Sequence, residues 1–441
     1  MEIILKVLQV IVALSILVIV HEFGHFVFAR IFKIRVEKFY LFFDPWFSLF
    51  KYKPKGSETE YGIGWLPLGG YCKISGMIDE SMDKEALKEE PKPWEFRSKP
   101  AWQRFLVMFG GVFFNFILAI LVYSSTLFTW GEEYLKNKDA VYGVQCNDLA
   151  LEIGFRNGDK VISVDGTTID KFQSIQIDIA RNQAKSVMVL RADDSVIINI
   201  DPQYIPAILN TPGMFSLRFP FEIMSVPDSS VNYNAGLLPG DRIVGIDSLQ
   251  VFVVQDIQPI LRAHKGDTLN ITINRSGILS EKSLAVDSLG RLGVILNSDI
   301  KKFFNVTAIN YSLISALPAG ASKTVSTLSN YVKELGLMFS PKTEAYKSVG
   351  SFIAIGNIFP SSWDWEIFWN ITAWLSIMLG VVNLLPIPAL DGGHILFLLY
   401  EIVTRRKPSD KFLEYAQMLG MLFLFLIMFL AFGNDIYRLF K

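Results

Sequence analysis

The sequence is poor in cysteine and in charge, and each shortage excludes a class of protein. Two cysteines, Cys72 and Cys146, among 441 residues are too few for a thiolate zinc cluster. Charged residues make up 19% of the chain, against roughly 25% in a soluble domain. The net charge of −1 provides no bulk attraction to nucleic acid, so we expect no nucleic-acid partner. With 51% hydrophobic residues, the composition favours a membrane protein.

Four apolar stretches are long enough to cross a membrane, which takes about 20 helical residues. The predicted spans lie at residues 1–33, 104–129, 363–403 and 412–433. Pro386, Pro388 and Asp391 interrupt the third span, and such breaks are tolerated where neighbours or a cavity satisfy the backbone. We expect Gly392 and Gly393 to loosen the helix again. The sequence therefore predicts a polytopic α-helical protein in contact with the lipid bilayer.

Lysine and arginine near the span ends set the predicted orientation. They cluster before the second span and between the last two, whereas acidic residues flank the long segment 130–300. We therefore expect residues 34–103 and 404–411 to be cytoplasmic, and residues 130–300 and both termini to lie on the other side. Residues 301–362 are predicted to be a linker, with an amphipathic helix at the membrane surface over 319–339.

An internal repeat occupies the long hydrophilic segment. ALEIGFRNGDKVISVDG begins at Ala150 and NYNAGLLPGDRIVGIDS begins at Asn232, so their Gly-Asp pairs are 82 residues apart. That spacing predicts two tandem β-rich domains, at 135–212 and 213–300. Their pattern resembles PDZ domains, which bind extended peptides at a sheet edge. Whether the copies bind peptide or only hold bulky partners off the membrane stays open.

The strongest chemical signal is the segment His21-Glu22-Phe23-Gly24-His25. Residues four apart on a helix share a face, so the two imidazoles can hold one Zn²⁺. The glutamate between them can act as general base toward water. Because polar groups within a span are costly and usually functional, we expect a zinc site inside the membrane rather than a structural polar cluster.

A third zinc ligand has to come from another segment, because a catalytic zinc usually has three protein ligands and an open position. Asp391 and His394 are the candidates within the interrupted span. Spacing alone does not choose between them.

Together these motifs resemble the site-2 protease family of intramembrane zinc metalloproteases, in particular its bacterial regulator-of-sigma-E type. That group combines H-E-x-x-H with N-x-x-P-x-P-x-L-D-G-G, found here from Asn383 to Gly393. The resemblance implies that His21, His25 and Asp391 bind zinc and that Glu22 is catalytic. His394 then either supports the ligands without binding the metal or packs nearby. It also implies that Asn383 and Pro388 lie beside the substrate.

Two other segments carry the resemblance. Residues 60–77 resemble the family's membrane-dipping β-hairpin, with Leu66, Gly69 and Gly70 as its most similar part. An edge strand there could hold an unwound substrate. The second span resembles the family at Gly110 and Asn115, among others.

The resemblance implies hydrolysis of peptide bonds within the transmembrane segments of single-pass proteins, in regulated intramembrane proteolysis. The expected substrates are pre-trimmed anti-sigma factors or remnant signal peptides. The expected location is the bacterial inner membrane, with the PDZ-like domains in the periplasm. The alternative is a protease-inactive PDZ membrane scaffold, which would not need to keep His21, Glu22, His25 and Asp391 intact.

Overall fold

A computed structural model describes residues 2–77, 90–338 and 352–439, which divide into two compact units. The inserted unit comprises residues 132–309, and the helical unit comprises the described residues before and after it.

The helical unit begins with two long helices separated by a β-hairpin. Its first elements are α1 (Glu2–Ile31), β1 (Val36–Tyr52), β2 (Glu60–Ile74) and α2 (Ala101–Trp130). Both helices are apolar nearly all round, so lipid or other helices must cover them, and the helical backbone satisfies its own polar groups. Gly131 ends α2 with a φ of 76°, and its N–H donates to the carbonyl of Leu127.

The hairpin is longer than the sequence predicted. Residues 60–74 form only its second strand, and β1 supplies the partner, with Val36 opposite Ile74 and Tyr40 opposite Tyr71. β1 was missed because it is apolar on both faces and contains Pro45, so the alternation typical of a half-buried strand is absent. Ring contacts from Phe26 of α1 to Phe39 and Tyr61 hold the hairpin against that helix.

The inserted unit contains most of the strands. Its strands are β3 (Glu132–Leu135), β4 (Val144–Cys146), β5 (Lys160–Val164), β6 (Thr167–Thr168), β7 (Ser186–Arg191), β8 (Asp194–Asn199), β9 (Phe215–Leu217), β10 (Ile223–Ser225), β11 (Arg242–Ile246), β12 (Leu249–Gln250), β13 (Thr268–Arg275), β14 (Ile278–Ala285), β15 (Ile295–Leu296) and β16 (Val306–Ile309). Its helices are α3 (Asp148–Ile153), α4 (Ile175–Arg181), α5 (Ile205–Asn210), α6 (Val254–Ala263) and α7 (Ile300–Phe303). Two four-stranded sheets share one strand order, β6-β5-β7-β8 and β12-β11-β13-β14, and each has its own hydrophobic core.

The repeated Gly-Asp pair makes the same contacts in both sheets. In the first, Arg191 donates to Asp159 and to the carbonyl of Gly154. In the second, Arg275 donates to Asp241 and to the carbonyl of Gly236. Burial disfavours the charged form of Asp241, but the bonds from Arg275 and from the Leu238 N–H outweigh this effect and lower its pKa. The internal repeat is therefore a repeat of structure as well as of sequence.

The chain enters and leaves the inserted unit through one pair of strands. β3 and β16 are antiparallel, with Leu135 opposite Val306 and Glu132 opposite Ile309. We call this ribbon the neck. Because paired residues lie about 4.5–5.5 Å apart at Cα, the two ends of the insert are neighbours.

The rest of the helical unit is made of helices. They are α8 (Leu313–Met338), α9 (Phe352–Ile358), α10 (Trp365–Leu384), α11 (Asp391–Thr404) and α12 (Asp410–Leu439). Among the described residues, four helices are long and apolar enough to cross a membrane: α1, α2, α10 and α12. The predicted third span is thus divided into α10 and the shorter α11, with Pro386 and Pro388 in the break between them.

Helix α2 is the centre of the helical unit and contacts α1, α8, α10 and α11. Helix α8 begins six residues earlier than the amphipathic helix predicted over 319–339, whose last residue lies outside the described part of the chain. Its Leu328 and Tyr331 pack beside Tyr123 of α2 and Ala373 of α10. Protein side chains therefore cover part of α8, in addition to any membrane surface.

Candidate metal centre

Helix α1 brings the two histidines of the H-E-x-x-H motif onto one face. His21 and His25 are both buried, and their Nε2 atoms are 3.3 Å apart. Two imidazoles that point the same nitrogen at one place can give two lone pairs to one metal ion, as the i, i+4 spacing predicted.

Asp391 reaches the same place from α11. The proline-containing break includes Ala389 at a φ of 88°, and a new helix starts at Asp391 itself. Asp391 Oδ2 lies 3.2 Å from His21 Nε2 and 3.3 Å from His25 Nε2. The interruption of the third span therefore delivers a carboxylate to the two histidines.

These three atoms fit a zinc ion. A tetrahedral zinc with ligand bonds of about 2.0–2.1 Å has ligand atoms about 3.3–3.4 Å apart. The three sides of the triangle are 3.2, 3.3 and 3.3 Å. Moreover, no donor in the described part of the chain reaches the buried Asp391 Oδ2 with hydrogen-bond geometry, so this lone pair lacks a conventional partner. His21, His25 and Asp391 form the single such cluster among the described residues.

Three glycines let α1 and α2 touch at the cluster. A Cβ on Gly24 would strike the backbone of Gly110, and a Cβ on Gly110 would lie 2.6 Å from the Gly24 carbonyl oxygen. A Cβ on Gly111 would lie 2.5 Å from His25 Nε2 and 2.6 Å from His21 Cε1. Because these α2 residues have no side chains, the imidazoles can occupy the space beside them.

Helix α2 also contacts the outer nitrogens of both rings. His25 Nδ1 is 2.9 Å from the carbonyl oxygen of Val107, which can only accept, so this nitrogen carries the proton and Nε2 is left as a ligand. His21 Nδ1 is 3.1 Å from the side-chain amide of Asn115, which is completely buried. Sequence reasoning gave Asn115 no role, because nothing in the spacing pairs residue 115 with residue 21.

Asn383, near the end of α10, also contacts the cluster. Its Nδ2 lies 3.2 Å from His21 Nε2, the nitrogen that faces Asp391. The amide is thus within one hydrogen-bond length of one of the three ligand atoms. Such a position allows it to reach a group bound beside them.

Glu22 is partly exposed and lies between the two histidines on α1. It interacts electrostatically with His21, His25 and Asp391, and it faces the backbone N–H of Cys72 on β2. The hairpin therefore packs beside the glutamate of the motif.

The other predicted substrate residues of the hairpin lie outside the cluster, and Gly70 is the one with a contact to α1. Gly70 packs where a Cβ would lie 2.6 Å from Val18 of α1, one turn before His21. Gly69 is beside the ring of Phe43, and Leu66 pairs with Phe43 in the hairpin register. Within β1, Trp46 is 90% exposed.

Pro388 lies between two helices that come close to its backbone. A Cβ on Gly393 would lie 2.6 Å from Pro388 Cα, and a Cβ on Gly420 of α12 would strike the Pro388 carbonyl. The expected loosening at Gly392 and Gly393 is wrong, because both lie in the first turn of α11. Without side chains, that turn can pack directly on the residues of the break.

His394 lies outside the ligand cluster. It lines a cavity of about 110 Å³ together with Arg104 and Glu401, whose charged groups are 2.5 Å apart. Of the two candidates that spacing left open, the structure places Asp391 with the histidines.

Activation of water is the chemistry that two histidines, a carboxylate and a neighbouring glutamate support. The fold and the site thus define a metallohydrolase whose helices are apolar and long enough to cross a membrane.

Comparison with known proteins agrees with this class. The family model described as Peptidase family M50 matches residues 9–427, so the chain belongs to Peptidase family M50, the site-2 proteases. A relative in Neisseria meningitidis, named "Putative zinc metalloprotease NMA0084", is 29% identical over 98% of this chain and 99% of its own length. A relative in Haemophilus influenzae, named "Regulator of sigma E protease", is 26% identical over 97% of this chain and 98% of its own length.

The chain is therefore a zinc metalloprotease and a membrane protein. The resemblance to site-2 proteases noted from the motifs is confirmed.

Proposed function

We propose that the protein is an intramembrane endopeptidase that cuts transmembrane segments of single-pass membrane proteins. The observation that carries the proposal is the triangle of His21, His25 and Asp391, built from α1 and from the interrupted α10–α11 segment. Ligand atoms carried by helices that are apolar and long enough to cross a membrane support a reacting bond within the bilayer.

In this proposal His21, His25 and Asp391 hold the zinc. When bound, Zn²⁺ supplies a Lewis acid that polarises the scissile carbonyl and makes a neighbouring water acidic. Glu22 takes the proton from that water and passes it to the leaving amine. Its position between the histidines on the same helix keeps the carboxylate beside the reacting atoms.

Other residues hold the substrate. Peptide-bond hydrolysis needs an extended backbone, so a transmembrane helix has to unwind before it is cut. β2 is next to Glu22 and could pair with the extended chain as an added strand, with Leu66, Gly69 and Gly70 along it. Asn383 can hydrogen-bond the substrate or the developing oxyanion, and the backbone at Pro388 borders the same space.

The relatives and the inserted unit support a substrate class. One relative is named a regulator of sigma E protease, which favours an anti-sigma factor already trimmed outside the membrane. Remnant signal peptides are the other substrate class. We assign the bacterial inner membrane, with the zinc site toward the cytoplasm and the inserted unit in the periplasm, from the distribution of lysine and arginine.

We assign the two sheets of the inserted unit to PDZ-like domains. Their common strand order and the matching contacts of Asp159 and Asp241 support two copies of one domain. In the proposed function these domains exclude substrates that still carry a bulky outer domain.

The test is cleavage of a tagged single-span substrate by the purified full-length protein, with zinc content measured on the same samples. We expect Glu22→Gln to keep zinc and to lose on the order of 10²–10⁴-fold in rate, the usual contribution of a general base. We expect Asp391→Ala to lose both zinc and cleavage. Glu366→Gln, in the first turn of α10, is the matched control and should be unchanged. Substantial turnover by Glu22→Gln would refute the mechanism.

A further inference from the structure

The acceptor for the Nδ1 proton is evident for His25 but has to be identified for His21. Its Nε2 faces Asp391 and His25, so in the proposed site this nitrogen gives its lone pair to the metal. A neutral imidazole then carries its proton on Nδ1, and that N–H needs an acceptor. For His25 the acceptor is the carbonyl of Val107. For His21 the group at Nδ1 is the amide of Asn115.

The amide of Asn115 can meet this need in one of its two orientations. With Nδ2 at 3.1 Å from His21 Nδ1, Asn115 Oδ1 is buried and has no hydrogen-bond partner among the described residues. Rotation of the amide by 180° exchanges the two atoms without moving the helix, and it turns Oδ1 toward the ring. Oδ1 then accepts from the Nδ1–H, the pattern in which metal-binding histidines are usually held.

The position of Asn115 is well fixed. The side chain is completely buried, and the Ser376 hydroxyl of α10 donates to the backbone carbonyl oxygen of Asn115 at 2.8 Å. Helix α2 thereby places a polar group at the outer nitrogen of each ring, the Val107 backbone carbonyl for His25 and the Asn115 side-chain amide for His21.

We propose that Asn115 is the positioning residue of His21: its Oδ1 accepts the Nδ1–H and thereby leaves Nε2 free to bind zinc. This inference rests on the proposed zinc site. In the rotated orientation the Asn115 NH₂ group turns away from the ring, so the amide acts on His21 as an acceptor. When zinc is removed, the amide can turn back and donate to an unprotonated Nδ1.

The test uses the full-length protein in detergent and measures the zinc dissociation constant by chelator competition. We expect Asn115→Leu to bind zinc roughly 10–100-fold more weakly, as is typical when the partner of a metal-binding histidine is removed. Asn115→Asp keeps an acceptor of the same shape, and we expect it to retain wild-type affinity. Asn370→Leu makes the same replacement on α10, where Asn370 contacts Lys323, and it should not change the affinity.

The outcomes separate this proposal from the zinc site itself. Loss of zinc by Asn115→Asp to the same extent as by Asn115→Leu would overturn the acceptor role, as would full retention by Asn115→Leu. If Asn115→Leu does not fold, judged by thermal unfolding, Asn115→Asp decides alone: retention supports the acceptor role and loss overturns it. If the wild type and Glu22→Gln hold no zinc, the proposed function fails instead.

Discussion

At the scale of single residues, the metal centre depends on glycines without side chains as much as on the histidines and the aspartate. The imidazoles of His21 and His25 fit against α2 because Gly110 and Gly111 have no side chains there. Spacing in the sequence shows which residues can bind a metal, and it does not show which residues must be small to let them do so.

Gly111→Ala tests this requirement. The new Cβ would lie 2.5 Å from His25 Nε2, so the ring has to move away from its ligand position. Since a displacement of about 1 Å can cost on the order of 100-fold in rate, we expect a loss of that size together with weaker zinc binding. Cleavage rate and zinc content of the purified variant provide the check.

The matched control is Gly433→Ala in α12, where a Cβ would meet nothing within 4 Å. It should behave as the wild type. Normal zinc content and cleavage in Gly111→Ala would show that the imidazoles do not need this space.

The sequence predicted part of the centre and missed part of it. His21, Glu22 and His25 follow from helical periodicity within one segment. Asp391 could not be separated from His394, because the direction of each side chain depends on how the chain turns at the proline-containing break. Asn115 is linked to His21 only by the packing of α2 on α1, and a single sequence contains no signal for such a contact. The ligand assignments themselves stay a prediction until zinc is measured.

At the scale of elements, helix α8 differs most from its prediction. Its amphipathic pattern indicated a helix at the membrane surface, whereas one of its faces packs on α2 and α10. An apolar face is compatible with lipid and with protein alike, so the pattern predicts a helix without naming its partner.

Gly320→Val tests the docking of α8. Gly320 faces Ser124 of α2, and a Cβ there would lie 2.6 Å from the Ser124 nitrogen. A branched side chain should force the two helices apart and lower the free energy of unfolding by about 1–3 kcal/mol, the usual cost of overpacking. Thermal unfolding of the detergent-solubilised protein is the measurement.

Gly336→Val makes the same change on the same helix, where nothing lies within 4 Å of the added Cβ. This variant carries the same cost in helix propensity, and its unfolding temperature should be close to that of the wild type. Equal stability of the two variants would mean that α8 does not dock at Gly320.

At the scale of the whole molecule, the neck makes the inserted unit separable from the helices. Because Glu132 and Ile309 are paired, residues 132–309 can be replaced by a short glycine–serine linker without stretching the chain. If the inserted unit is a size filter, we expect the shortened protein to keep zinc and to cut both trimmed and untrimmed single-span substrates. Cleavage assays on the two substrates with one enzyme preparation give the answer.

The full-length protein should cut only the trimmed substrate, and that comparison is the control. A shortened protein that holds zinc yet still rejects the untrimmed substrate would show that selection by size happens elsewhere. The domain boundaries proposed from the sequence would be unaffected by either result.

The contact between Gly24 and Gly110 also limits how the enzyme can open. The backbones of α1 and α2 already touch there, and the His25 bond to Val107 crosses the same junction. Separating these helices would pull a ligand out of place, so α1 and α2 have to stay together on this side of the site. We therefore expect substrate to arrive through another side of the site, and not between α1 and α2. Entry and catalysis would then use different parts of the same small bundle, and the enzyme could admit a helix without disturbing the atoms that cut it.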